Sequence, residues 1–230
     1  MLDFDIAGSC NGWLCLSNSS QNTFHLYNPF TSDFLELPKS THQNADVCTE
    51  LGFGFQAETE EYKVLKISHI IGSVGGRRFC GYPQPKAEIL AVGSLTWRRL
   101  GRISYNLVQS PSQVMVNGRL LWVNWSFIHR LSDNRLISFY LADEKFRMVP
   151  NPDSAGFERH GYHRLTLVTT GGCLSVVLNI NMGHLRFGAC FYDPRQETFK
   201  DIKIPGMPNM FEAVAHDGNL NGIDSLLIGM

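Results

Sequence analysis

The chain has 230 residues, with 20 basic and 21 acidic side chains, and a formal net charge of -1. Charged residues make up only 18% of it and hydrophobic residues 43%, which excludes a disordered tail or a solvated helical rod. A chain so close to neutral lacks the basic face with which nucleic-acid binders displace counterions from phosphates, so we expect no nucleic-acid partner.

The sequence predicts a cytoplasmic or nuclear location. The uncharged stretch 165–183 is interrupted by Thr, Gly, Ser and Asn, which makes it too polar for a membrane-spanning helix. Asp3 and Asp5 stand where a signal peptide would carry basic residues. The six cysteines are irregularly spaced and form no CxxC pair, so we interpret them as reduced thiols packed in the core.

In chain order, short apolar runs alternate with polar turns, a pattern that favours antiparallel strands over helices. One unit recurs four times: an apolar strand, a short polar turn, and an aromatic residue that begins a second strand. The four copies span Phe24–Pro38, Glu88–Leu100, Leu136–Pro150 and Ala189–Pro205, and a proline closes three of them. This recurrence predicts four hairpins of the same kind.

Three further hairpins are predicted between these copies. One joins Leu51–Phe55 to Tyr62–Ile67, and the others turn at Asn117-Gly118 and Gly171-Gly172. Asn-Gly and Gly-Gly pairs between apolar runs are strong signals for a tight β-turn. The fold class is therefore all-β, built from repeated antiparallel hairpins.

The spacing of the copies favours a β-propeller-like fold over a β-sandwich. The last three copies follow one another at about 50 positions, close to the length of one propeller blade. The first interval is longer, and we assign the excess to an irregular loop over Gly72–Pro85. We expect Trp97, Trp122 and Trp125 to pack between blades.

The motifs, taken in order, resemble the F-box-associated domain of plant F-box proteins. The resemblance covers nearly the whole chain and is carried by Gly8–Leu16, Tyr27–Pro29, Gly52–Phe55, Glu61–Val64, Val116–Trp122, Gly171–Leu174 and Tyr192–Pro194. It implies a kelch-related propeller that binds a protein substrate for an SCF-type ubiquitin ligase. The family's F-box binds the Skp adaptor and, through it, the cullin.

Two departures from the family pattern shape the predicted domain organisation. Only seven residues precede Gly8, so we expect one domain over 1–230 without an F-box, and Skp and cullin as partners only of a longer form. After Asn179 the chain passes almost directly into the last copy, where the family has another strand-containing stretch. About one blade is therefore expected to be missing, which predicts a truncated, incomplete propeller.

The sequence predicts no catalytic, cofactor or metal site. Glu158–His163 holds two histidines, but the glycine and prolines around them favour a surface loop. Gly72–Arg78 lacks the spacing of a phosphate-binding loop, and no GxSxG nucleophile motif is present. We therefore expect no enzyme.

We predict partner contacts on two long irregular loops, Gly72–Pro85 and Pro150–His163, because such loops carry exposable Arg, Tyr and His. The predicted partner-binding residues are Arg77, Arg78, Tyr82, Arg159, His160, Tyr162 and His163. Two alternatives stay open at this point. One is a stand-alone or decoy interactor without ligase activity, and the other is a propeller enzyme or small-ligand binder that uses the central channel.

Overall fold

The computed structural model describes residues 4–18, 21–40, 47–74, 77–80, 84–105, 107, 114–116, 118–124, 135–149, 163–170, 173–180, 189–193 and 198–202. All regular elements in these ranges are β-strands. They are β1 (Asp5–Cys10), β2 (Trp13–Asn18), β3 (Thr23–Tyr27), β4 (Phe34–Glu36), β5 (Val47–Gln56), β6 (Glu61–Val74), β7 (Arg77–Cys80), β8 (Lys86–Ala91), β9 (Arg98–Arg102), β10 (Val114–Val116), β11 (Arg119–Asn124), β12 (Arg135–Tyr140), β13 (Lys145–Val149), β14 (His163–Thr170), β15 (Cys173–Ile180), β16 (Ala189–Asp193) and β17 (Thr198–Ile202). Within the same ranges, no helix is long and apolar enough to cross a membrane.

The strands form successive antiparallel sheets in chain order. Blade 1 is β1-β2-β3-β4, blade 2 is β5-β6-β8-β9 with β7 paired to β6, and blade 3 is β10-β11-β12-β13. Two two-stranded sheets follow, β14-β15 and β16-β17, and they contact each other through β15 and β16. The first strands β1, β5 and β10 contact one another, as the innermost strands around a propeller axis do. The all-β, propeller-like prediction is confirmed.

The predicted hairpins correspond to defined strand pairs. The four strand–turn–aromatic copies are the hairpins β3-β4, β8-β9, β12-β13 and β16-β17. The first three are the last two strands of blades 1, 2 and 3, and the fourth is a two-stranded sheet. Gly118 has a φ of 71°, which a glycine adopts without steric cost, in the turn between β10 and β11. Thr170 pairs directly with Cys173 across the other predicted tight turn. Local turn chemistry therefore predicted these elements correctly.

Alternation along β6 explains how blade 2 is buried on both faces. Successive side chains of a strand point to opposite sides of the sheet. Tyr62 and Val64 pack toward blade 1, whereas Leu65 and Ile67 pack toward blade 3. The two interfaces contain separate apolar clusters, of which the first includes Trp13, Cys15, Phe24, Leu26, Phe53, Leu90 and Trp97, and the second Ile89, Leu107, Leu120, Trp122, Ile137, Phe139 and Leu141.

The prediction that tryptophans pack between blades is confirmed for the two that the structure describes. Trp97 lies against Phe24 of blade 1 with ring centroids 5.8 Å apart, and its Nε1 donates a hydrogen bond to the carbonyl oxygen of Pro38 at 2.7 Å. Trp122 is fully buried between blades 2 and 3. Trp125 lies outside the described residues.

A buried polar cluster also joins blades 1 and 2. Lys66 is 1% exposed and stands opposite Glu88 on the neighbouring strand β8. Ser40, which follows blade 1, accepts a hydrogen bond from Lys66 Nζ at 2.8 Å and donates one to Glu88 Oε2 at 2.7 Å. The hydroxyl therefore connects the two opposite charges, and this interface is held by polar as well as apolar contacts.

The prediction of an irregular loop over Gly72–Pro85 is wrong for part of that range. Strand β6 continues to Val74, and β7 pairs with it in the register Ser73 to Arg78 and Val74 to Arg77. The glycine pair 75–76 separates the two paired segments in sequence, which is the same hairpin signal that holds at Gly171-Gly172. The predicted loop Pro150–His163 also extends one residue too far, because His163 begins β14.

Candidate interaction surface

Three of the seven partner-binding residues expected from the sequence lie within the described residues, on two different sheets. Arg77 and Arg78 are the first two residues of β7, in the hairpin that extends blade 2. His163 pairs with Ile180 at the start of β14. The remaining four lie outside the described residues: Tyr82, Arg159, His160 and Tyr162.

An exposed surface at the junction of blades 2 and 3 is built around the turn 141–144 between β12 and β13. Leu141 N donates a hydrogen bond to the carbonyl oxygen of Gly118 at 3.1 Å, which ties this turn to the turn before β11. Glu144 N donates to the carbonyl oxygen of Tyr140 at 2.8 Å. Glu144 has a φ of 55°, an uncommon conformation for a residue with a side chain. The surrounding contacts hold it there.

Side chains of blade 2 fix this turn of blade 3. Lys63 Nζ donates hydrogen bonds to the carbonyl oxygen of Leu141 at 3.3 Å and to Glu144 Oε1 at 3.2 Å, while Arg98 pairs with Glu144 Oε2. Partial burial acts to raise the pKa of Glu144, but the hydrogen bonds from Arg98 and Lys63 outweigh it and lower that pKa. Glu144 is therefore a carboxylate whose charge is already neutralised by two cations.

Two arginines flank one aromatic ring beside this turn. Tyr140 lies on β12, Arg119 stands opposite it on β11, and Arg147 lies on β13 on the other side. The guanidinium carbon of Arg119 is 4.2 Å from the centroid of the Tyr140 ring, and that of Arg147 is 4.0 Å from it. Cation–π contacts of this kind favour one orientation of an otherwise flexible arginine. We call these three residues the Arg–Tyr–Arg surface.

The charges of this surface are not balanced. Arg147 pairs with Asp143 four residues before it, and that contact lowers the pKa of the Asp143 carboxyl. Arg119 is exposed and contacts no carboxylate among the residues that the structure describes. Lys145, also exposed, begins β13 in the same region. Positive charge therefore exceeds negative charge here, although the whole chain is slightly acidic.

Sequence reasoning did not find the Arg–Tyr–Arg surface. From the sequence, Ala142–Lys145 was interpreted only as the polar turn of the third strand–turn–aromatic copy. The surface beside this turn also needs Arg119 on β11 and Tyr140 on β12. The signal present in the sequence was the alternation of side chains along each strand. Once the strands are aligned, this alternation places Arg119, Tyr140 and Arg147 on one face of the sheet. That alignment depends on the lengths of the turns and of the sequence segment that separates β11 from β12.

Within the described part of the chain, no group of three or more His, Cys, Asp or Glu could hold a metal ion. Complete burial raises the pKa of the Cys15 thiol to about 12, so this cysteine is a poor nucleophile at neutral pH. What the turn 141–144 and the Arg–Tyr–Arg surface offer is an exposed and charged surface whose side chains are held by hydrogen bonds and ring contacts.

Comparison with known proteins identifies a family and two relatives. The model of the family described as F-box associated beta propeller domain matches residues 2–187. F-box protein At3g07870 of Arabidopsis thaliana is 33% identical, over 99% of this chain and 72% of its own length. An F-box/kelch-repeat protein of the same plant is 24% identical, over 76% of this chain and 45% of its own. The chain thus spans less than half of the second relative.

The alignment with the first relative also bears on the length of the chain. It extends over 305 positions, and this chain can fill at most 230 of them. About 75 positions within the aligned region therefore have no counterpart here, which exceeds the length of one propeller blade.

Among solved structures, a Bombyx mori GH32 beta-fructofuranosidase in complex with sucrose aligns with 87% of this chain and 48% of its own. The identity is 10% and the TM-score 0.48, so this likeness carries no argument about function.

Proposed function

Because this chain belongs to the F-box associated beta propeller family, we propose that it is the substrate-recognition module of an SCF-type ubiquitin ligase receptor. In this function the propeller binds a target protein through its turns and exposed strand ends. In a longer form that carries an F-box, that F-box would bind the Skp adaptor, and through it the cullin. The ubiquitin-transfer chemistry takes place on other subunits, and this chain contributes affinity and orientation. We place the function in the cytoplasm or nucleus.

The observation that carries the proposal is the family match over residues 2–187, together with the F-box proteins found among the relatives. The architecture supports it, because packed blades present short turns on a rigid scaffold, where binding residues are commonly found. Two regions are candidates for partner contact. One is the β6–β7 hairpin, where Arg77 and Arg78 stay predicted contacts, and the other is the Arg–Tyr–Arg surface.

A fusion experiment tests this function. The chain is expressed in plant cells alone and as a fusion behind the F-box segment of its Arabidopsis relative, each with an affinity tag. We expect both forms to retain the same target protein. Only the fusion should bind Skp and attach ubiquitin to that target, in a manner blocked by inhibiting cullin neddylation. If the fusion binds Skp but no retained protein becomes ubiquitinated, the proposed function is wrong.

A further inference from the structure

The Arg–Tyr–Arg surface suggests which kind of target such a module recognises. Arg119 is exposed, its guanidinium contacts the Tyr140 ring, and it has no carboxylate partner in the described part of the chain. An arginine in this state keeps its hydrogen-bond donors available in a planar fork that matches a carboxylate. Arg147 differs in that it already pairs with Asp143.

We propose that Arg119, Tyr140 and Arg147 form a docking site for an acidic, extended segment of a partner protein. This inference deepens the proposed substrate-recognition function and rests on it. Arg119 binds one carboxylate of the segment directly. Arg147 binds a second carboxylate in exchange for Asp143, a contact between side chains that are 43% and 38% exposed and therefore weak. Tyr140 holds both guanidinium groups in position.

The dimensions of the surface permit an extended segment. Each guanidinium carbon lies within 4.2 Å of the same ring centroid, so the two carbons are separated by at most about 8 Å. Alternate side chains of an extended peptide project from the same side at intervals of about 7 Å. Acidic residues at every second position therefore have the spacing that two arginines on either side of one tyrosine can bind.

The surrounding contacts preorganise the site. The turn 141–144 that follows Tyr140 is hydrogen-bonded to Gly118, the residue before Arg119, and is held by Lys63 of blade 2. Because these groups are already ordered, binding loses less side-chain and backbone entropy than it would on a mobile loop. Glu144 does not compete for the site, since Lys63 and Arg98 already occupy its carboxylate.

A peptide titration on the full chain tests the proposal. The probe is a fluorescein-labelled peptide of four Glu-Ser repeats, and the reference is the same peptide with Gln in place of Glu. Binding is followed by fluorescence anisotropy at about 50 mM salt and again at about 200 mM, because exposed ion pairs weaken with screening. We expect saturable binding of the Glu-Ser probe, weaker at the higher salt, and none of the Gln-Ser reference.

Three variants test whether the probe peptide binds at the Arg–Tyr–Arg surface. Arg119→Gln should weaken probe binding by about fivefold, the size expected when one accessible ion pair is lost. The matched control, Arg102→Gln, removes the same charge from the far end of β9 and should change the affinity by less than about twofold. Asp143→Asn should strengthen binding, because it frees Arg147.

Equal losses of peptide affinity in the Arg119 and Arg102 variants would overturn the proposal, because binding would then depend only on the net charge of the chain. Weaker binding by Asp143→Asn would also overturn it. A labelled uridine dodecamer serves as a competitor: if it binds more tightly than the peptide with the same dependence on Arg119, the surface recognises RNA and not a protein segment. These results leave the fusion experiment unaffected, because a target can still be ubiquitinated through other contacts.

Discussion

At the scale of single residues, β6 carries three basic side chains into the interior: Lys63, Lys66 and His69. Lys63 reaches Glu144, and Lys66 reaches Ser40 opposite Glu88. His69 is 0% exposed, and neither of its ring nitrogens has a hydrogen-bond partner in the structure as described. The two lysines thus have polar partners that offset their burial, whereas the histidine does not.

The two charges of the buried polar cluster should be energetically coupled, so that the losses of stability from removing each of them do not add. Glu88→Gln leaves the Lys66 ammonium buried without its carboxylate, and we expect the free energy of unfolding to fall by about 3 kcal/mol. The double variant Lys66→Met with Glu88→Gln should lose clearly less than the sum of the two single variants. Urea denaturation at pH 7 measures all three. Additive losses would show that the two charges are not coupled.

His69 should make stability depend on pH. Burial lowers its pKa from the ordinary 6.5 to about 4. Between these values the unfolded chain binds more protons than the folded one, so stability rises as the pH increases from 4 to 6.5 and this contribution is constant above. The expected gain is about 3 kcal/mol across that window.

The variant His69→Leu tests this contribution by urea denaturation at a series of pH values. It should reduce the slope of the free energy of unfolding against pH between pH 4 and 6.5, because leucine binds no proton in either state. Any slope that remains comes from other groups. His25→Leu serves as the control. Burial lowers the pKa of His25 too, but Glu36 opposes that shift, so we expect a smaller change of slope. An unchanged slope in the His69 variant would contradict the assignment.

At the scale of elements, β5 approaches blade 3 so closely that two of its positions have room only for glycine. A Cβ atom on Gly52 would lie 2.7 Å from Cζ2 of Trp122. One on Gly54 would lie 2.8 Å from the sulfur of Met115 and 2.9 Å from the side chains of Leu120 and Leu141. These glycines therefore set the distance between blades 2 and 3.

Gly52→Ala should lower the free energy of unfolding by about 2 kcal/mol, because the added methyl group overpacks this interface. Trp122→Phe removes the part of the indole that the methyl group would meet, and by itself leaves a cavity. In the double variant the methyl group fills part of that cavity. The combined loss, measured by urea denaturation, should therefore be smaller than the sum of the single losses. A combined loss equal to the sum would show that the two side chains do not meet.

A strand pair could be predicted from the sequence where the residues that determine it lie close together in the chain. The β3-β4 and β12-β13 hairpins were predicted from turn residues and the aromatic residue that follows them. The β6–β7 hairpin was missed because the nearby Gly and Pro residues were interpreted as an irregular loop. The Arg–Tyr–Arg surface was also missed, because the residues that form it come from three strands and meet only when those strands are in register.

At the scale of the whole molecule, blade 2 is the common partner of blades 1 and 3. One of its faces contributes Val64 and Leu90 to the cluster with blade 1, and the other contributes Leu65 and Ile89 to the cluster with blade 3. Because the same strands belong to both interfaces, loss of one interface should weaken the other. The three blades should therefore unfold as one cooperative unit.

Hydrogen exchange followed by mass spectrometry tests this cooperativity. Phe139→Ala removes a fully buried ring of blade 3, and we expect faster exchange not only in blade 3 but also in peptides from β6 and β2. Met148→Ala is the matched control, since this side chain on β13 is 46% exposed and should leave exchange in blades 1 and 2 unchanged. Faster exchange confined to blade 3 would show that the blades open independently.

The side chain of Met115 lies where all three blades meet. Its sulfur is 3.6 Å from the Cys10 sulfur of blade 1 and 3.2 Å from the backbone nitrogen of Phe55 in blade 2, while Met115 itself belongs to blade 3. The side chain is only half-buried, so small oxidants in solution can reach it. Oxidation to the sulfoxide would introduce a polar oxygen into contacts made with an apolar, deformable thioether. Damage to a single atom would then disturb two interfaces at once, and a reductase that restores the thioether would repair both.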